Sequence, residues 1–297
     1  MLLEDLRALA AVVDCASLTK AAEKMRLTQS AVSRRIQNLE ESLGVILLDR
    51  TSRPPTPTPM GFRIYEGALG LLRDAEQLRR IPQEAATPHG KFRVGFTQVV
   101  ADVVVLEAVT TIKNSFPVLE MQVVTNWSSQ LQQLLVDGEL DAATLLLTSP
   151  SQLPPGLDGM RAATLDILVV QSRRHPVVDH SADIQILSCN EWILNPKGCG
   201  YRAALESAMG GRGKKLKLGV DTHGAAIQMR MIAAGLGLGL IPKRLLEESA
   251  LKDELSVVNV PDFALQMDIW VAHPMHPGNL RQANVLLTQQ VVDGFRE

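Results

Sequence analysis

Net charge, cysteine and long apolar runs are all scarce in this chain, and each absence closes off a class of function. Lysine plus arginine (30) nearly balance aspartate plus glutamate (32), a formal net charge of −2 that argues against a general polyanion binder but can conceal a local patch. The three cysteines, Cys15, Cys189 and Cys199, are odd in number and show no CxxC spacing, so neither a disulfide framework nor a thiolate metal set is expected. The most apolar stretch, residues 99–109, is broken by Asp102 and Glu107, well short of the roughly 18 uncharged residues of a membrane span. Glu4 and Asp5 stand where a secretory signal would be basic, which leads to the expectation of a reducing cytoplasm.

Catalytic signatures are missing as well. No HExxH or GxSxG occurs, so the chain is expected not to be an enzyme. His273 and His276 are three apart, but Pro274 and Pro277 keep one helix from presenting both, and neither a metal nor another cofactor is expected. The glycines of 235–239 follow a helical pattern and precede a strand, the wrong order for a dinucleotide loop, and read as a helix stop. The basic loop at 210–215 has Ala208 and Lys215 where a P-loop needs glycine and Ser or Thr.

What is present is an ordinary folding composition, 46% hydrophobic and 21% charged over 297 residues, enough for two or three domains. Leu3, Leu6, Leu9, Ala10 and Val13 form one helical stripe ending near Cys15. Ser17, with Thr19 as its rival, caps a short second helix, and Arg26-Leu27 makes a tight turn. Thr28 caps a third helix running to Leu43, where Gly44 ends it; Val32, Ile36, Leu39 and Leu43 face inward, and Gln29, Ser30, Ser33, Arg34 and Gln37 do not. Between Lys20 and Arg35 lie five cations and one acid, Glu23. Two helices joined by a tight turn, the second presenting polar amino-terminal residues, is the geometry that enters a major groove. Glutamine can read adenine, arginine guanine, and serine hydroxyls can hold phosphates.

These residues, Ser17 to Glu23, Thr28 to Ile36, Leu39-Glu40 and Leu43 to Val45, resemble the DNA-binding domain of LysR-type transcriptional regulators. The resemblance implies a wing at Leu47 to Thr51 and Thr56 to Thr58, with Arg50 and Arg53 near the DNA backbone or minor groove; Leu48 stands where the family usually has phenylalanine, and Pro54, Pro55 and Pro57 crowd the wing. Candidate contacts to an operator with dyad symmetry are Ser17, Thr19, Thr28, Gln29, Ser30, Ser33, Arg34, Arg35, Gln37, Arg50 and Arg53. Thr58-Pro59 opens a further helix to about Ile81, and Ile64, Ala68, Leu71, Ala75 and Leu78 form a heptad seam. By resemblance that seam pairs two copies into a homodimer, with a homotetramer beyond it.

After a hinge at 82–90 the pattern changes to short β runs alternating with helices, which predicts open parallel sheets covered by helices. The fold class expected is multidomain: an all-α-rich winged helix-turn-helix (1–58), a linker helix (59–81), the hinge, and a two-lobed α/β effector domain resembling periplasmic binding proteins. Its first lobe comprises 91–162 and 265–297, its second 163–264. Loops at the strand ends would meet in the cleft between lobes. They supply the candidate effector contacts Thr97, Gln98, Asn126, Trp127, Ser128, Ser129, Asn195, Lys197, Cys199, Tyr201, Arg202, Thr222 and His223. Ser128 and Thr222 also read as helix caps. Lys197, Arg202 and His223 among hydroxyl groups suggest a small anionic effector such as a carboxylate. Cys199 lies by resemblance near the reactive cysteine of peroxide-sensing members, but no second cysteine follows in 200–213, and an unreactive thiol is expected. The competing reading is an α/β small-molecule-binding protein or enzyme whose amino-terminal helices only oligomerise.

Overall fold

The computed structural model describes residues 2–52, 54–83 and 86–296, which divide into two compact units, residues 1–83 and 84–297. The first unit is built from α1 (Leu2–Cys15), α2 (Leu18–Met25), α3 (Gln29–Leu43), the short strands β1 (Leu48–Asp49) and β2 (Thr56–Pro57), and α4 (Pro59–Arg80). The starts of α2, α3 and α4 have local causes. The Ser17 and Thr28 hydroxyls accept from the Lys20 and Ala31 amides, and Thr58 from Gly61, with Pro59 in the first turn. Arg26 takes the left-handed conformation that makes the turn after α2, and Gly44 does the same after α3. Val32, Ile36 and Leu39 of α3 are buried against Leu6, Leu9 and Val12 of α1, a core sealed by Leu47 and Leu48. A side chain at Gly61 would collide with the Leu47 carbonyl, so glycine is what lets α4 cross the chain there.

The predicted seam on α4 splits in two. Ala68 is buried, and Ile64, Tyr65 and Leu72 pack against the same core because α1 lies against this part of the helix. Leu71 and Leu78 remain 56% and 67% exposed, so only the distal part of the heptad stripe is open to a partner.

The second unit consists of β3 (Gly90–Phe96), α5 (Gln98–Ser115), β4 (Leu119–Thr125), α6 (Ser128–Val136), β5 (Ala142–Thr148), β6 (Leu157–Ser172), α7 (Ile184–Leu187), β7 (Trp192–Leu194), α8 (Gly200–Gly210), β8 (Leu218–Asp221), α9 (Ala225–Ala233), β9 (Leu238–Pro242), α10 (Lys243–Glu248), β10 (Leu255–Val258), β11 (Leu265–Pro274) and α11 (Arg281–Gly294). The strands form one sheet in the order β4-β3-β5-β11-β6-β9-β7-β8, with β10 paired to β6. Two parallel triplets, β4-β3-β5 and β9-β7-β8, are the cores of the two lobes. Between them run β6 and β11, antiparallel to each other and to their neighbours.

The sheet is therefore mixed where alternating β and α patterns predicted parallel strands. The cause is that β6 and β11 carry the chain from one lobe to the other in opposite directions. β6 begins at Leu157. Its first half, Asp158 to Thr164, is exposed or half-buried and lacks a hydrophobic face to signal it. The short helices α7 and α10 were not foreseen.

Candidate functional sites

The helix-turn-helix presents a polar face on which some cations are paired within the fold and others are open. Gln29, Ser30, Arg34 and Gln37 are exposed on α3, Ser33 is half-buried, and Thr19 and Thr28 are exposed beside them. The Thr28 hydroxyl, which caps the helix, also lies 3.0 Å from that of Ser30. Arg35 turns back to α1, its Nη1 2.9 Å from Glu4 Oε2, and its guanidinium holds the Glu4 carboxyl below its ordinary range. Arg34 makes no such pair among the described residues.

The wing is anchored through Glu40. One of its oxygens accepts from the buried Leu47 and Leu48 amides at 2.8 and 3.2 Å, and the other pairs with Arg50 at 2.9 Å. Asp49 accepts from the Thr51 hydroxyl and amide, which hold its carboxyl low and tighten the turn. Arg53, also expected near DNA, lies outside the described residues. Of the predicted arginines that are described, Arg35 and Arg50 serve the scaffold in this conformation and Arg34 is open.

In the second unit a cavity of about 410 Å³ opens at the carboxyl ends of strands from both parallel triplets, the place where open α/β sheets receive ligands. Of the predicted effector residues, Thr97, Gln98, Asn126, Trp127, Ser128, Asn195, Cys199, Tyr201 and His223 line it. Ser129, Lys197, Arg202 and Thr222 do not. Lys197 and Ser129 are solvent-exposed neighbours. Arg202 is buried and turned away, with Glu206 at 2.8 Å and Asp221 at 3.3 Å from its guanidinium nitrogens. Arginine at that position knits α8 to the end of β8.

The helix starts differ from expectation as well. Ser128 is the first residue of α6 rather than its cap, and its hydroxyl accepts from the Leu146 amide at 2.9 Å. The position before α9 is Gly224, not Thr222. Thr97, Trp127, Cys199 and Gly224 precede α5, α6, α8 and α9, and none offers a side-chain cap. All four line the cavity. Four helix amino termini thus direct uncapped main-chain amides and the positive ends of their dipoles toward one space.

The two sides of the cavity touch through Trp127 and His223, whose rings stack 5.8 Å apart at 23°. Gly198, with φ +105°, lies against the Trp127 ring where a Cβ would sit at 3.2 Å. Asn195 accepts from the Gly224 amide at 3.2 Å and approaches Cys199 Sγ at 3.6 Å. Burial pushes the Cys199 thiol up, keeping it neutral. Tyr201 is buried too, its phenol pushed up by the same desolvation, and its hydroxyl has no hydrogen-bond partner. Asp102, Gln228 and Leu240 were missed by sequence reasoning. Asp102 lies one turn beyond Gln98, whose amide donates to it at 2.7 Å, so helical periodicity continued from the cap would have found it.

Family models match both parts of the chain. Residues 3–62 match the model of bacterial regulatory helix-turn-helix proteins of the lysR family, and residues 85–289 match the LysR substrate binding domain. The HTH-type transcriptional regulator GltR of Bacillus subtilis is 28% identical over 236 residues, 77% of this chain and 76% of that protein. Among solved structures, full-length OxyR from Pseudomonas aeruginosa shares the fold with a TM-score of 0.67 at 20% identity, covering 98% of this chain and 94% of that one. Full-length CbnR, solved in complex with its target DNA, aligns with a TM-score of 0.54 at 16% identity over 99% and 100% of the two chains. Such relatives are transcriptional regulators rather than enzymes, and no helix among the described residues is long and apolar enough to cross a membrane. With a winged helix-turn-helix ahead of a two-lobed α/β effector-binding domain, this chain belongs to the LysR family of transcriptional regulators.

Proposed function

We propose that this regulator reads a dyad-like operator through Gln29, Ser30, Ser33 and Arg34 of paired α3 helices, and is controlled by a small organic anion in the cavity between its lobes. The observation that carries the effector class is the convergence of four uncapped helix starts, at Thr97, Trp127, Cys199 and Gly224, on a cavity that no lysine or arginine lines among the described residues. Main-chain amides at helix amino termini bind carboxylates and phosphates without side-chain cations. That replaces the reasoning from Lys197 and Arg202, neither of which lines the cavity. The hydroxyls and amides of Thr97, Gln98, Asn126, Ser128 and Tyr201 and the His223 ring complete the proposed contacts, and the exposed Leu71 and Leu78 support pairing of α4 helices in a homodimer.

Thermal unfolding in the presence of small carboxylates (succinate, 2-oxoglutarate, benzoate, salicylate) tests the effector class, since a ligand that favours the native state raises its melting temperature. At roughly a hundredfold its Kd, a ligand stabilises by about 2.7 kcal/mol. A rise with at least one acid, absent with its methyl ester, is expected; equal rises with acid and ester would contradict an anion site.

A further inference from the structure

Only two residues among those described have buried side-chain polar atoms without a hydrogen-bond partner, and both line cavities. Tyr201 belongs to the cleft already discussed. The other is Asn284, in the first turn of α11, 2% exposed, with neither its amide nitrogen nor its oxygen satisfied. Leaving both halves of an amide unpaired costs stability, and native interiors seldom keep such a group without a use for it. Asn284 lines a second cavity of about 590 Å³, formed by the start of β6, the end of β11 with the following residues 275–277, and the first half of α11. Its wall is mixed: Met160, Met275 and Val285 form an exposed apolar part, and Asp158, His273, His276, Arg281, Thr288 and Gln289 supply polar and charged groups. None of its lining residues is shared with the cleft.

We propose that this cavity is a second small-molecule site, whose ligand is a flat heterocycle bearing a carboxamide or lactam edge. An asparagine amide with donor and acceptor both free pairs best with a group offering an acceptor beside a donor, the same complementarity by which asparagine reads the edge of adenine. Nothing with a single polar atom satisfies both halves. The flexible thioethers of Met160 and Met275 suit the faces of such a ring and can give way as it reaches the amide. The site lies in the effector domain on elements, β6 and β11, that connect the lobes, so its occupancy bears on the same domain as the cleft ligand without competing for the cleft.

The test uses the full chain, with nicotinamide, uracil and hypoxanthine as probes and benzoate as a comparison compound lacking an N–H donor. Thermal unfolding is recorded for the parent protein, Asn284→Leu and Tyr201→Phe. The expected result is a rise of about 2–4 °C with at least one of the three amide-bearing probes and none with benzoate through this site. That rise is kept in Tyr201→Phe and lost in Asn284→Leu. Asn284→Leu without ligand should melt no lower than the parent, because it removes an unpaired buried amide. Should the leucine variant fail to fold, Asn284→Asp, which keeps the shape but loses the donor, must weaken the same probe at least tenfold. No response to any of the three probes, an unchanged response in the Asn284 variants, or a crystal structure showing ordered water bridging both amide atoms would overturn the proposal. Loss of response in Tyr201→Phe alone would assign the probe to the cleft, which also overturns it.

Discussion

Replacing Glu40 is the sharpest test of how the first unit holds its wing. Its side chain, only 14% exposed, accepts two main-chain amides with one oxygen and pairs with Arg50 through the other. Glu40→Ala strands the amides of Leu47 and Leu48, residues that are themselves buried. Hydrogen bonds to a charged acceptor contribute about 1.5–3 kcal/mol each, and an orphaned buried donor costs about 1–3 kcal/mol. The exposed Arg50 pair adds under about 1 kcal/mol. With two amides stranded, a loss of about 2–6 kcal/mol is therefore expected, and for a unit of this size each kcal/mol lowers the melting temperature by about 4–8 °C. Glu40→Gln keeps an acceptor oxygen for the two amides and should lose about half as much.

The molecule supplies its own assay for this. Its three tryptophans, Trp127, Trp192 and Trp270, all belong to the second unit, so tryptophan fluorescence follows that unit while circular dichroism follows both. The dichroism transition of Glu40→Ala should gain an early phase, with the fluorescence transition unmoved. A loss below about 1 kcal/mol, or equal losses for Ala and Gln, would refute the reasoning from the paired amides.

Three further expectations follow from particular contacts. Leu71→Asp with Leu78→Asp, at two of the most exposed apolar positions of α4, should shift the protein toward monomer in sedimentation at micromolar concentration; an unchanged mass would exclude α4 as the pairing surface. Asp268, fully buried in β11, accepts from the Ser151 amide and hydroxyl and from Thr164, and these bonds outweigh desolvation to hold its carboxyl low. Its contribution to stability is thus present above the ordinary aspartate range and lost as pH falls through its lowered value, so the drop in stability below that ordinary range should flatten in Asp268→Asn. Thiol labelling at neutral pH should modify the exposed Cys189 first and Cys199 last, because Cys199 is buried and its thiol raised; fast labelling of Cys199 would contradict the neutral thiol.

How much of this was legible in the sequence depended on whether a residue's role was local. Caps and stops were: Ser17, Thr28, Gly44 and Thr58-Pro59 act within one helical turn, and the structure has each where the sequence suggests. Nine cavity residues were also within reach, because they sit at strand ends or at the first turn of helices, positions that hydrophobic periodicity marks out. What the sequence did not show has a cause of the opposite kind. Arg202, Arg35 and Arg50 carry the same cationic signal as a ligand-binding arginine, but their partners Asp221, Glu4 and Glu40 are 10 to 31 residues away and only folding brings them together. Likewise the first half of β6 is a strand because β11 pairs with it, a long-range condition that Asp158 to Thr164 do not announce. Asn284 looked like an unremarkable residue of a helical run until burial left it unpaired.

The central claim is that α3 reads DNA in a sequence-dependent way, and one measurement bears on it directly. Binding of the full chain and of Arg34→Ala to fragments from its own genome, against competitor DNA at about 0.15 M salt, compares specific with general affinity. The account predicts a fragment preferred well above competitor, and for Arg34→Ala a loss of about 1–3 kcal/mol on that fragment with relaxed preference at one base position. Equal binding of the intact protein to every fragment would contradict it.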